Sequence, residues 1–239
     1  MKAPVYSGRT DTGQVRPHNE DSFALAPELG VAIVADGMGA HAAGEVASQM
    51  AVDVGLAILR QTAGVPARDR LDTALQAAHG SILEKAGSST RYQGMGTTVV
   101  ATLIEGSTLT HAHVGDSRLY RFRRGQLEAL TRDHSLQQEF VDQGHYSAEE
   151  AREKVARNIL TRALGLESSL RVDIGSTALQ SGDRYLLCSD GLYEMVNDAE
   201  IASWLARGLK GDACCEALVE LANARGGRDN ITVVLIDIP

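Results

Sequence analysis

The stretch 231–238 near the end of the chain is apolar on both faces. Ile231, Val233 and Leu235 lie on one side, Val234 and Ile236 on the other. Side chains alternate across a strand, so this one needs cover on each side. A second continuous apolar run, Val31-Ala32-Ile33-Val34-Ala35, stops at Asp36-Gly37 and makes the same demand. Further strand-like segments, 97–104, 108–114 and 118–122, are joined by short turns around Glu105-Gly106 and Gly115-Asp116. Connections that short make antiparallel neighbours rather than crossovers. Val46, Met50, Val54 and Ile58, and then Leu71, Leu75, Ala78 and Ile82, recur at helical spacing and predict two amphipathic helices. Later segments read as strands at 171–177 and 183–188, then helices near 198–206 and 212–225. Two packed antiparallel sheets with helices outside satisfy all of this, so the expected fold is an α+β sandwich.

The 239 residues make one good-sized domain, or two small ones at most. Apolar residues are 44% of the chain, enough for a substantial core. With 31 acidic against 23 basic side chains the net charge is −8, which argues against nucleic acid as a partner. The apolar stretches are far too short to span a bilayer, and no apolar h-region follows Met1, so no membrane association is expected. Three cysteines, two of them the adjacent Cys214 and Cys215, make no disulfide framework. The expectation is a monomer of a reducing cytoplasm.

One arrangement recurs: an apolar run ends, and an aspartate sits just beyond it. It occurs at Asp36, at Asp116 in His113-Val114-Gly115-Asp116, and at Asp190 in Leu186-Leu187-Cys188-Ser189-Asp190. A fourth aspartate, Asp229, lies immediately before the terminal strand. Each alone reads as a turn residue. Together they could converge on one sheet edge, where like charges need a counter-cation; hard oxygen donors suit Mg²⁺ or Mn²⁺. Neither His-Glu-x-x-His nor Cys-x-x-Cys occurs, which argues against zinc, and there is no P-loop for ATP.

Arg16-x-x-Asn19-Glu20-Asp21, Ala35-Asp36-Gly37-Met38-Gly39, Met95-Gly96-Thr97-Thr98 and Val114-Gly115-Asp116-Ser117-Arg118 follow in order along the chain. So do Leu130-Thr131-x-Asp133-His134-Ser135, Leu160-Thr161-Arg162-Ala163-Leu164-Gly165, Cys188-Ser189-Asp190-Gly191-Leu192 and Asp229-Asn230-Ile231-Thr232. The ordered set resembles the metal-dependent Ser/Thr protein phosphatases of the type 2C class, bacterial branch, over nearly the whole chain. The resemblance implies a four-layer α-β-β-α sandwich, formed by residues 1–239 as one catalytic domain, with two Mn²⁺ or Mg²⁺ ions at the end of its sheets. Asp36 would bridge both ions, the Gly37 carbonyl would bind one, and Asp190 and Asp229 would complete the other. A third, looser ion would use Asp116 with Asp190. Glu20 and Asp21 would sit nearby and hold metal-bound water, with Asn230 beside them outside the ligand set, and Arg16 would clamp the phosphate, a task its planar fork suits.

The implied reaction is hydrolysis of phosphoserine and phosphothreonine by direct attack of a hydroxide bridging the two ions, with no phosphoenzyme. The substrates would be proteins phosphorylated by a bacterial Ser/Thr kinase. Two other readings stay open: a catalytically inactive phospho-binding scaffold, and a phosphomonoesterase acting on small molecules. Retention of Asp36, Asp190, Asp229 and Arg16 favours activity over the scaffold. No cysteine has arginine at the Cys-x5-Arg spacing of a thiol phosphatase. Two departures from the family pattern stand out. Met38 replaces a histidine that eukaryotic relatives often carry as proton donor to the leaving alkoxide, and Ala40 replaces a second glycine. His41 is the candidate replacement donor; the alternative is that it orients water or caps the helix beginning near Ala42. His113 and His134 read as structural hydrogen-bonders. The polar segment 135–157, with the capping-box sequence Ser147-x-x-Glu150, is expected to be helical, and 137–157 is the candidate flap.

Overall fold

The computed structural model describes residues 3–39, 43–157 and 159–239. One sheet has the order β1-β11-β10-β7-β8, from β1 (Val5–Asp11), β7 (Arg118–Arg123), β8 (Gln126–Ala129), β10 (Arg184–Cys188) and β11 (Ile231–Asp237). The other has the order β2-β3-β5-β6-β9, from β2 (Asp21–Ala26), β3 (Val31–Met38), β5 (Val99–Glu105), β6 (Thr108–Val114) and β9 (Asp173–Ala178). The two-residue β4 (Gly96–Thr97) pairs with the end of β3. Every pairing is antiparallel.

The continuous apolar runs resolve into two faces, each with its own cover. Val31, Ile33 and Ala35 of β3 pack under α1 (Ala43–Gln61) and α2 (Ala67–Gly87), among Ala47, Ala51, Leu71 and Leu75. Ala32 and Val34 face the other sheet, against Tyr185, Leu187, Val234 and Ile236. In β11, Ile231, Val233 and Leu235 pack under α6 (Asp198–Leu205) and α7 (Gly211–Ala224), with Ile201, Cys215, Leu218 and Ala222. Helix pair, sheet, sheet and helix pair give the expected four layers. Each buried Val, Leu or Ile among them contributes about 1.5–3 kcal/mol.

Several elements differ from the sequence expectation. The strand does not stop at Asp36: β3 runs on to Met38, because Asp36 pairs with Asp21 and Gly37 with Thr97. The segment expected at 97–104 is broken at Thr98 into β4 and β5. β1, β2 and β8 were not anticipated, nor was the single-turn α5 (Asp190–Tyr193). The polar middle forms α3 (Leu136–Asp142) and α4 (Ala148–Lys154), in which only Ala151 is buried. The capping box is present: Ser147 Oγ accepts from Glu150 N, and Glu150 Oε2 from Ser147 N.

Candidate active site

The four aspartates meet at one end of the sandwich, although not on one sheet edge as the sequence suggested. β7 begins, β10 ends and β11 begins at the same end of their sheet, with Cys188 opposite both Arg118 and Val233. That places Asp116, Asp190 and Asp229 side by side. Asp36 comes from the facing sheet. Alternation puts it on the same side as Ala32 and Val34, toward the gap between the sheets. Asp116 sits on the loop from β6 to β7, which crosses from one sheet to the other.

These aspartates, with Arg16, Glu20, Gly37, Met38 and Asn230, line a cavity of about 170 Å³. Burial drives Asp36 well above the usual carboxylate range, and the charges of Asp21, Asp190, Asp116 and Asp229 push the same way. Asp190 is likewise raised well above that range, by burial and then by Asp116 and Asp229. Asp116 is pushed up to about 7, chiefly by burial and then by Asp133. Asp190 Oδ1 and Asp21 Oδ1 are buried without a hydrogen-bond partner. The cation facing this cluster is Arg16, whose Nη2 lies 2.6 Å from Asp229 Oδ2. Four crowded carboxylates with one arginine and orphaned oxygens form a site short of positive charge.

Glu20, Asp21 and Asn230 are tied into the frame. Asp21 stands opposite Asp36 in the β2–β3 register, and its Oδ2 accepts from Ser189 Oγ and Thr232 Oγ1, each at 2.7 Å. Burial still raises it to about 6 against those two bonds. Asn230 Oδ1 accepts from Glu20 N at 2.8 Å, while its Nδ2 donates to the carbonyls of Thr12 and His18 at 2.9 Å. This side chain thereby fixes the loop that carries Arg16. The Glu20 carbonyl accepts from Gly37 N (3.1 Å) and Ser48 Oγ (2.6 Å). Position 37 must be glycine, since a Cβ there would collide with the Gly44 carbonyl oxygen. His41 and Ala40 lie outside the described residues.

Other supports were not singled out in the sequence. Thr98 Oγ1 accepts from Asp36 N at 3.1 Å and is hydrogen-bonded to Ser117 Oγ at 2.7 Å. Arg118 grips Asp133 with two bonds of 2.9 and 2.7 Å. Its guanidinium lies 3.6 Å from the centre of the Tyr193 ring, and Tyr193 Oη donates to the Asp116 carbonyl at 3.0 Å. Thr98, Ser117, Arg118, Asp133, Ser189 and Thr232 fall inside the recognisable motifs; Tyr193 carried no signal at all.

His113, His134 and Asp173 form a second cluster. Their hydrogen bonds account for it as the sequence suggested. His134 Nδ1 accepts from Gly115 N at 3.2 Å, and its Nε2 lies 3.3 Å from Asp173 Oδ2. His113 Nε2 meets the Arg132 carbonyl at 2.8 Å. Arg162 already supplies the positive charge, 3.0 Å from Asp173 Oδ1. Burial pushes His134 down to about 4 and lowers His113 as well, so both are neutral and hold the loop before Asp116.

A four-layer sandwich with a carboxylate-lined cavity at the end of its sheets has the architecture that the motif resemblance implies. Residues 14–222 match the family model for Protein phosphatase 2C, and the chain belongs to that family. It is 39% identical over 236 residues to the serine/threonine phosphatase stp of Listeria innocua, covering 96% of this chain and 94% of that one. It superposes on the Mycobacterium tuberculosis serine/threonine phosphatase PstP/Ppp with a TM-score of 0.92, at 37% identity and 98% coverage of each chain. A structure of the PstP catalytic domain in complex with two manganese ions matches with a TM-score of 0.90, at 37% identity and 99% coverage of each chain.

Proposed function

We propose that this chain is a Mn²⁺- or Mg²⁺-dependent protein phosphatase that hydrolyses phosphoserine and phosphothreonine in proteins. The observation that carries this is the convergence of Asp36 with Asp116, Asp190 and Asp229, drawn from both sheets, on one cavity short of positive charge. Hard divalent ions fit that donor set: its oxygens are anionic, and Asp190 Oδ1 has no partner. Asp36 and the Gly37 carbonyl would hold one ion, and Asp36, Asp190 and Asp229 the other. Asp116 with Asp190 would serve a third, weaker one. Such ions lower the pKa of water and neutralise phosphoryl oxygens.

The protein's own groups do the rest. Arg16 is half-exposed at the cavity and binds the phosphate through its fork, sharing Asp229 as its present partner. Asn230 and the Glu20 backbone keep the Arg16 loop against the site, and Asp21 ties the end of β3 to Ser189 and Thr232 across the sheets. His41 gives a proton to the leaving alkoxide.

We take residues 1–239 as one catalytic domain, with 137–157 as a flap beside the cavity. The protein acts as a cytoplasmic monomer opposing a Ser/Thr kinase. Three free, buried cysteines support the reducing compartment, and among the described residues no helix is long and apolar enough to cross a membrane. Phosphate release from a phosphothreonine peptide should require Mn²⁺ and vanish in Asp36→Asn and Asp190→Asn. Undiminished release by those variants, or release in excess chelator, overturns the reading.

A further inference from the structure

Beside the acidic cavity runs a groove that carries arginines as well as carboxylates, four of each. Its volume is about 260 Å³, and it shares Asp116 and Asp190 with the acidic cavity as a common wall. The flap forms one bank, through Arg152 in α4 and Arg157 just beyond it. Glu194, Met195 and Arg225 form the other. An adjoining hollow shares Arg157 and Glu194 with the groove and adds Arg228 next to Asp229. Between them the groove and the hollow carry Arg16, Arg152, Arg157, Arg225 and Arg228, and their carboxylates either pair with an arginine, as Asp133 does with Arg118 and Glu194 with Arg157, or belong to the acidic cavity.

Their partners sort them by role. Arg157 is 3.2 Å from Glu194, and Arg225 is paired with Glu200. Arg152 and Arg228 are exposed, and neither makes an ion pair among the described residues. Both arginines are thus available to a ligand, and neither lines the cavity that takes the scissile phosphate. An anion bound by them would belong to another part of the same substrate.

Resting on the phosphatase reading, we propose that this groove seats the polypeptide flanking the phosphorylated residue and selects flanks that carry a further anion, a carboxylate or a second phosphate. The planar guanidinium fork suits both groups. Exposed pairs reach about 1 kcal/mol, so each well-placed anion should raise kcat/KM by up to about fivefold.

The experiment measures kcat/KM on phosphothreonine peptides of one sequence whose flanks carry glutamate, glutamine, lysine or a second phosphothreonine. The wild-type protein should favour the anionic peptides over glutamine and disfavour lysine, and rising salt should erode the preference. In Arg152→Gln/Arg228→Gln the anionic advantage should fall below about twofold with an unchanged melting temperature, since both side chains are exposed. Comparing the glutamate and doubly phosphorylated arms identifies the anion. Equal wild-type rates on all peptides, or a preference that survives both substitutions, overturns the groove alone. Failure to release phosphate from any peptide overturns the phosphatase reading beneath it.

Discussion

Asp36 shows how a single side chain acquires chemistry from its neighbours. The same residue type on a solvated turn would be an ordinary carboxylate; here burial and four other aspartates disfavour its ionised form. His41, proposed above as proton donor to the leaving alkoxide, is the residue-scale counterpart. As proton donor it matters only when the leaving group is a poor one. His41→Ala should therefore slow phosphothreonine peptides by about 10²-fold or more, while sparing an aryl phosphate whose phenolate needs no proton. Equal losses on both substrates would remove His41 from that role. Histidines elsewhere set an acid limit on stability. Burial holds His111 and His134 near 4, below the ordinary 6.5. Between those values the unfolded chain binds more protons, so this stability is complete above about 6.5 and is lost as pH falls toward 4. Thermal melts of His111→Gln should accordingly drop less between pH 7 and pH 5 than those of the parent.

At the scale of elements, the flap is the part least supported by the core. In α4 only Ala151 is buried, so its order depends on the capping box of Ser147 and Glu150. Ser147→Ala should cost about 1 kcal/mol of helix stability. Hydrogen exchange at the α4 amides would then quicken about fivefold, with the global melting temperature barely changed. Unaltered exchange would mean that contacts outside the cap hold α4. Elements with strong apolar periodicity, α1, α2, β11 and the body of β3, were legible in the sequence. β1 and β2 were not, because Ser7, Gly8, Arg9 and Thr10, and then Asp21 and Ser22, interrupt any apolar pattern. They are strands because β11 and β3 offer them ladders to pair with. α5 was hidden for a related reason: a single turn has no period to read.

For the whole molecule, the site is a carboxylate-lined gap between two sheets whose donor set suits divalent cations. Ions that bind the folded state alone should stabilise it, by about 2.7 kcal/mol at a hundredfold excess over Kd. Manganese should raise the melting temperature of the wild-type protein by several degrees, and Asp36→Asn should abolish the shift. A shift that persists in the variant would place the binding elsewhere.

The sequence by itself determined the layered fold and the family, because apolar alternation and ordered motifs are local properties of the chain. It also marked Asp36, Asp116, Asp190 and Asp229 as a set. Their meeting place was a tertiary outcome. It depends on how two sheets stack, on the β6–β7 crossing that carries Asp116, and on hydroxyls such as Ser189 and Thr232 that reach Asp21 from the facing sheet. The arginine-rimmed groove is tertiary in the same way: Arg152 and Arg228 are 76 positions apart, 228 − 152, and spacing of that length carries no signal until the flap folds beside α5.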